Sequence, residues 1–352
     1  MNCTQPQEPA TTTMFVGTYT NGDSEGIYSF QFNTTTGELS NKTMVAAMKN
    51  PSFLKLSPDN KNLYAVGETD SFDSSGGVVF AFAVGDSTLQ LLNKQGSGGA
   101  NPCHVAVSDD GKQIAVSNYS GGNLALFTTD ADGKLNDEKQ LIDHKVLDTT
   151  KTSHVHMAKF MGNSLFTADL GLDAIKRYSK EKSNYIPALQ PSLDFPKGSG
   201  PRHFTFGQNG KFLYVINELT SSITVCKRNS DDAYAPIITH STVAAEFKGE
   251  SFCADIHLSE DGKFLYGSNR GENTIVVFAV NQQTKDLTLV ERFPVKGDWP
   301  RNFAIDPSGN FLLVANQKSN NIAVFKRNSQ DGTLGFLHEL KMDSPVCLEF
   351  ME

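Results

Sequence analysis

Between residues 14 and 350, apolar residues recur in short runs that alternate with polar ones, and Gly, Asn, Asp or Ser bounds each run. A period of two marks half-buried strands, and no stretch carries the long 3.6-residue apolar period of an amphipathic helix. The runs come in pairs. A strand, a turn of the S-x-D-G-K kind and a second strand repeat as "NPSFLKLSPDNKNLYAVGE" (50–68), "NPCHVAVSDDGKQIAVSNY" (101–119), "HVHMAKFMGNSLFTADL" (154–170), "GPRHFTFGQNGKFLYVINE" (200–218), "FCADIHLSEDGKFLYGSNR" (252–270) and "WPRNFAIDPSGNFLLVANQ" (299–317). Gly and Asn tolerate the positive φ such turns need, so each pair is predicted to be a hairpin.

A third strand follows each pair, as in "GGNLALFTT", "SSITVCKR" and "NNIAVFKR", and a weaker fourth follows "TGEL", "DGKL" or "DGTL". The unit is about 50 residues long and recurs seven times, a period that signals a propeller built from four-stranded blades. The seventh copy is divided between the chain ends. "PVCLEF" (345–350) matches the first strand "PSFLKL", while "MFVGTY" (14–19) matches the second. The expectation is an all-β, seven-bladed β-propeller spanning 14–350 as one domain, its ring closed by C-terminal strand pairing in the N-terminal blade. Residues 1–13 are expected to be a disordered or tethering segment.

Charge narrows the functional classes. The 352-residue chain carries a formal net charge of −8, with Lys and Arg scattered, which argues against a nucleic-acid partner. No run approaches the roughly 20 apolar residues of a transmembrane helix, and no signal-like start is present. A cytoplasmic location is expected; Cys3, in the polar stretch "CTQPQEPATTT", offers a lipid anchor as the alternative if a leader was removed. Cys103, Cys226, Cys253 and Cys347 lack CxxC or zinc-ligand spacing and are expected in buried strands, with no metal or other cofactor.

The candidate chemistry lies where the copies differ. "LYVINELTSSITV" (213–225) and "LYGSNRGENTIVV" (265–277) are nearly the same, yet one places Glu218 where the other places Arg270. Equivalent positions of a propeller converge on a central cup. One such row, just past the second strand, reads Tyr19, Glu68, Tyr119, Leu170, Glu218, Arg270 and Gln317. The other, at the start of the first strand, supplies His104, Arg202, His203, Asp255, Arg301 and either His154 or His156, because one turn is a residue shorter. A single Asp or Arg at a blade rim more often braces a loop. Several Arg, His and acidic residues together in an acidic protein suit an anionic small-molecule substrate: guanidinium groups hold carboxylate or phosphate, and a histidine or carboxylate activates water at a carbonyl. There is no HExxH, and the glycines of "GSGGANP" (96–102) precede no helix that could complete a phosphate cradle.

On the motifs "GPRH" (200–203), "INE" (216–218), "ADIH" with "DGKFLYGSNR" (254–270) and "PRNFAIDPSGNFLLVANQKSNNIAVF" (300–325), the chain resembles the propeller lactonases, the bacterial 6-phosphogluconolactonases and related muconate lactonizing enzymes. The resemblance covers essentially all of 14–350. It implies a metal-independent site built from His156, Arg202, Glu218 and Arg270, and favours His156 over His154. It further implies hydrolysis of a sugar lactone, 6-phospho-D-glucono-1,5-lactone first, with His156 or Glu218 activating water and Arg202 and Arg270 holding the anion. The competing readings are a muconate-type cycloisomerase and a non-catalytic binding scaffold.

Overall fold

Seven four-stranded antiparallel sheets follow one another along the chain, and each is a blade with its first strand innermost. The computed structural model describes residues 11–72, 76–85, 88–207 and 209–352, and among these there is no α-helix. Blade 1 takes its inner strand from Pro345–Phe350 and its second from Thr11–Thr18. The inner strands of blades 2 to 7 are Phe53–Leu56, Pro102–Val107, Val155–Met161, Pro201–Gly207, Phe252–Leu258 and Pro300–Ile305. The second strand of blade 1 therefore starts at Thr11, three residues inside the stretch expected to be a tether. Cys3 lies outside the described residues.

The ring closes as the divided repeat requires. Met14 pairs with Phe350, Val16 with Leu348 and Gly17 with Cys347 in antiparallel register. Apolar residues on facing sheets form seven clusters, one at each interface between adjacent blades. At the closing interface Phe32 of blade 1 meets Phe311 of blade 7 and Phe350 edge-on, with ring centroids 5.6 and 5.3 Å apart. Such pairs contribute about 0.5–1.5 kcal/mol each beyond the area they bury. Closure leaves no blade face uncovered.

The turn chemistry explains the repeat. Ser57, Ser108 and Ser259 donate to Asp59, Asp110 and Asp261 at 2.6–2.7 Å and accept the N–H of Asn62, Gln113 and Phe264 at 2.9–3.0 Å. The residue after the acidic one sits at positive φ, as Asn60 (58°), Gly111 (71°) and Gly262 (67°), so only Gly or Asn recurs there. Cys103, Cys226, Cys253 and Cys347 are buried in strands with free thiols, as the sequence predicts.

Candidate active site

The pairing register aims one residue of nearly every inner strand into the channel. In blade 5, Pro201 opposes Asn217 and His203 opposes Ile216, which leaves Arg202 without a partner. The same one-residue bulge isolates Cys103, His156, Arg301 and Val346. A bulge breaks the alternation of faces and redirects the extra side chain. These five residues, with Ser52, Phe53, His203 and Asn302, line a cavity of about 10 Å³ on the axis, room for about one water molecule. In blade 6 the corresponding residue is Ala254, whose carbonyl accepts a 2.5 Å hydrogen bond from Arg202 Nη1. The small side chain leaves that sector to the neighbouring guanidinium.

Above the cavity the second row closes over it. Glu218 Oε2 lies 2.8 Å from Arg270 Nη2 and 3.0 Å from Arg202 Nε. Both contacts are ion pairs, and Arg202 Nε–H has no hydrogen-bond partner aligned with it. Arg270 also donates to the carbonyls of Phe252 and Cys253. Burial, then repulsion from Arg270 and Arg301, brings the Arg202 guanidinium down to about 10, so it stays charged at neutral pH. Across the cup Tyr19 donates to Glu68 Oε2 at 2.8 Å, and Arg301 Nη2 stands 3.8 Å from that oxygen. Three guanidinium groups thus face two carboxylates in the cup, and the ionised Asp255 carboxylate acts on Arg202 from behind His203 as a third.

His156 is 4% exposed, and its Nδ1 has no hydrogen-bond partner. Its ring meets Tyr119 and His203 edge-on at 5.6 and 5.2 Å. Burial, reinforced by Arg202 and His203, holds its pKa well below the ordinary 6.5. The imidazole is neutral at pH 7, so one ring nitrogen keeps a lone pair, and the residue lines the cavity.

The other expected contributors stand elsewhere. His154 sits on the rim, stacked on Tyr119 at 4.4 Å with Nδ1 3.2 Å from the Tyr119 carbonyl oxygen; its own N–H donates to buried Asp169. Asp255, read from the sequence as substrate-binding, is committed to protein donors. His203 Nδ1 lies 2.8 Å from Oδ1, while His257 Nε2 and Asn302 Nδ2 lie 3.0 and 2.6 Å from Oδ2. Although burial opposes ionisation, His257 and His203 hold its carboxyl well below the usual range. With Nδ1–H donated to Asp255, His203 presents Nε2 to Arg202 Nη1 at 3.4 Å, so Asp255 positions Arg202 through His203. His104 lies behind the cavity wall, packed on Phe53 at 4.1 Å and His203 at 5.6 Å. Glu68 and Tyr19 were passed over as candidates although they share a row with Glu218. The signal was there, a second carboxylate at the equivalent position. Among the described residues no group of His, Cys, Asp and Glu is arranged to hold a metal ion.

Three of the buried histidines, His104, His156 and His203, make stability depend on pH. Burial keeps His104 and His156 well below 6.5 and brings His203 down to about 4. The unfolded chain protonates them near 6.5 and the folded chain does not, so stability is complete above about pH 6.5 and falls as pH drops toward 4. His203 alone accounts for about 3 kcal/mol across that window. Calorimetry from pH 7.5 to 4.5 should show a steadily falling Tm, and a flat profile would refute neutral burial of these rings.

Comparison with known proteins accords with this geometry. Residues 13–350 match the family model described as lactonase, seven-bladed β-propeller. A 6-phosphogluconolactonase of Formosa agariphila is 40% identical over 91% of this chain and 94% of its own length. One from Bacillus subtilis is 33% identical over 96% and 97%. The solved structure of a periplasmic gluconolactonase from Pseudomonas aeruginosa superposes with a TM-score of 0.91 at 32% identity, covering 97% of this chain and 99% of that one.

Proposed function

The chain belongs to the seven-bladed β-propeller lactonase family, and we propose that it opens sugar lactones by hydrolysis, with 6-phospho-D-glucono-1,5-lactone as preferred substrate. The product, 6-phosphogluconate, belongs to the pentose phosphate pathway. Lactonase relatives spanning nearly the whole chain support hydrolysis over a muconate-type lactonizing reaction, and a cup of buried charges is unlike the apolar surface of a binding scaffold. The observation that carries the phosphorylated substrate is the convergence of three guanidinium groups, Arg202, Arg270 and Arg301, on one cup.

In this reading water attacks the lactone carbonyl carbon while His156 takes its proton. The carbonyl oxygen becomes an oxyanion held by Arg202 Nε–H, which has no hydrogen-bond partner of its own. The tetrahedral centre then collapses, the bond to the ring oxygen breaks, and that oxygen takes the proton from imidazolium to become the sugar hydroxyl. The other product group is a carboxylic acid that releases its proton to solvent, and Arg202 and Arg270 accommodate the resulting carboxylate. Three nearby guanidinium groups make the empty site's imidazole a poor base, but the substrate's phosphate and the growing oxyanion offset them as the proton moves. Glu218 serves better as an anchor: taking the proton would cost it both ion pairs.

Arg301, on the opposite wall, is left to meet the phosphate. Hydrolysis above the spontaneous background should favour the phosphorylated over the plain 1,5-lactone by at least about tenfold in kcat/KM, a difference of about 1.4 kcal/mol. Arg301→Ala should erase most of that preference. Equal rates on the two lactones would instead favour an unphosphorylated substrate, the reading to which the gluconolactonase neighbour lends support.

A further inference from the structure

One position of the repeat breaks a backbone rule. The residue before the inner strand is followed by Pro in five blades and there adopts positive φ: Asn50 (47°), Asn101 (53°), Gly200 (64°), Trp299 (68°) and Ser344 (41°). Its carbonyl accepts the N–H of the row residue in its own blade, as with Gly200 and Glu218 at 2.7 Å and Trp299 and Gln317 at 3.1 Å. The geometry is therefore a fixed feature of the scaffold, and Asn or Gly satisfies it with little strain. A bulky aromatic residue there is an outlier, and outliers of this kind concentrate where function over-determines the backbone.

The side chain shows what is gained. The Trp299 indole lies over the Arg270 guanidinium of the neighbouring blade, 5.3 Å from ring centroid to Cζ, and beside Phe252 at 6.2 Å. Lys318 Nζ is 3.2 Å from the ring centroid. The Trp299 N–H is pinned by the Asn273 side chain at 3.0 Å, three residues past Arg270. An aromatic face attracts a guanidinium most strongly in partly desolvated surroundings, and Arg270 is buried.

We propose that Trp299 is a positioning residue whose indole holds the Arg270 guanidinium against Glu218 and toward the cup, the scaffold accepting a strained backbone in return. This rests on the reading that Arg270, with Arg202, holds the carboxyl end of the sugar. The test compares Trp299→Asn, the repeat's own residue at this position, with Trp299→Phe. Trp299→Asn should keep or raise Tm while kcat/KM falls about tenfold or more, chiefly through KM. Trp299→Phe should stay within about threefold of the parent. Unchanged kinetics in Trp299→Asn would overturn the inference, as would a lower Tm, which is the mark of a packing residue, or an equal loss in both variants.

Because Trp299 is the only tryptophan in the chain, its fluorescence offers a readout independent of catalysis. Titration with gluconate, whose carboxylate Arg270 would hold, should give a saturable change that Arg270→Ala abolishes. A flat titration, or one unaffected by Arg270→Ala, would also overturn the inference. A parent protein inactive on both lactones would refute the functional reading and leave the titration to decide this one.

Discussion

His156→Ala is expected to lower kcat for lactone hydrolysis by about 10²–10⁴-fold, the usual worth of a general base, with the circular dichroism spectrum unchanged. The ring has no hydrogen-bond partner at Nδ1, so its removal leaves no donor or acceptor orphaned. The pH profile provides a second check. Burial and the neighbouring arginine hold the His156 pKa well below 6.5, so kcat/KM of the parent should be flat near neutrality and decline only on the acid side of 6.5. Glu218→Gln should behave differently, raising KM as Arg202 and Arg270 lose their shared counter-ion. If instead Glu218→Gln removes most of kcat and His156→Ala little, Glu218 is the base.

Asp255→Ala is expected to bring the largest loss of stability, about 3–5 kcal/mol, the range found when one partner of a buried charged network is removed. His203, His257 and Asn302 all direct a nitrogen at this carboxylate, and His203 and Asn302, the two buried donors, would each cost about 1–3 kcal/mol if left unmet. The loss should appear as a lower denaturation midpoint at unchanged m-value. Activity should fall as well, because His203 would lose the hydrogen bond that turns Nε2 toward Arg202. A midpoint within about 1 kcal/mol of the parent would show that the cluster is dispensable to the fold.

Much of this was legible in the chain. The S-x-D-G-K turns and two-residue alternation are local, because a turn's φ requirement and a strand's apolar face are written in neighbouring residues. Ring closure was legible too, since "PVCLEF" at 345–350 could complete only the sheet begun near the N-terminus. Convergence of Glu218 with Arg202 and Arg270 followed from repeat equivalence, a statement about positions.

What the sequence determined by itself was thus the number of blades, their strand order and the ring of positions from which a site could be drawn. Only the tertiary structure decided which side chain at each position enters it. A bulge shifts the alternation of faces by one residue, and its place depends on pairing with the second strand. That shift, between Val155 and Met157, sends His156 to the cavity and leaves His154 stacked on Tyr119 at the rim. Asp255 was settled the same way: its role follows from donors on three strands, two of them in other blades.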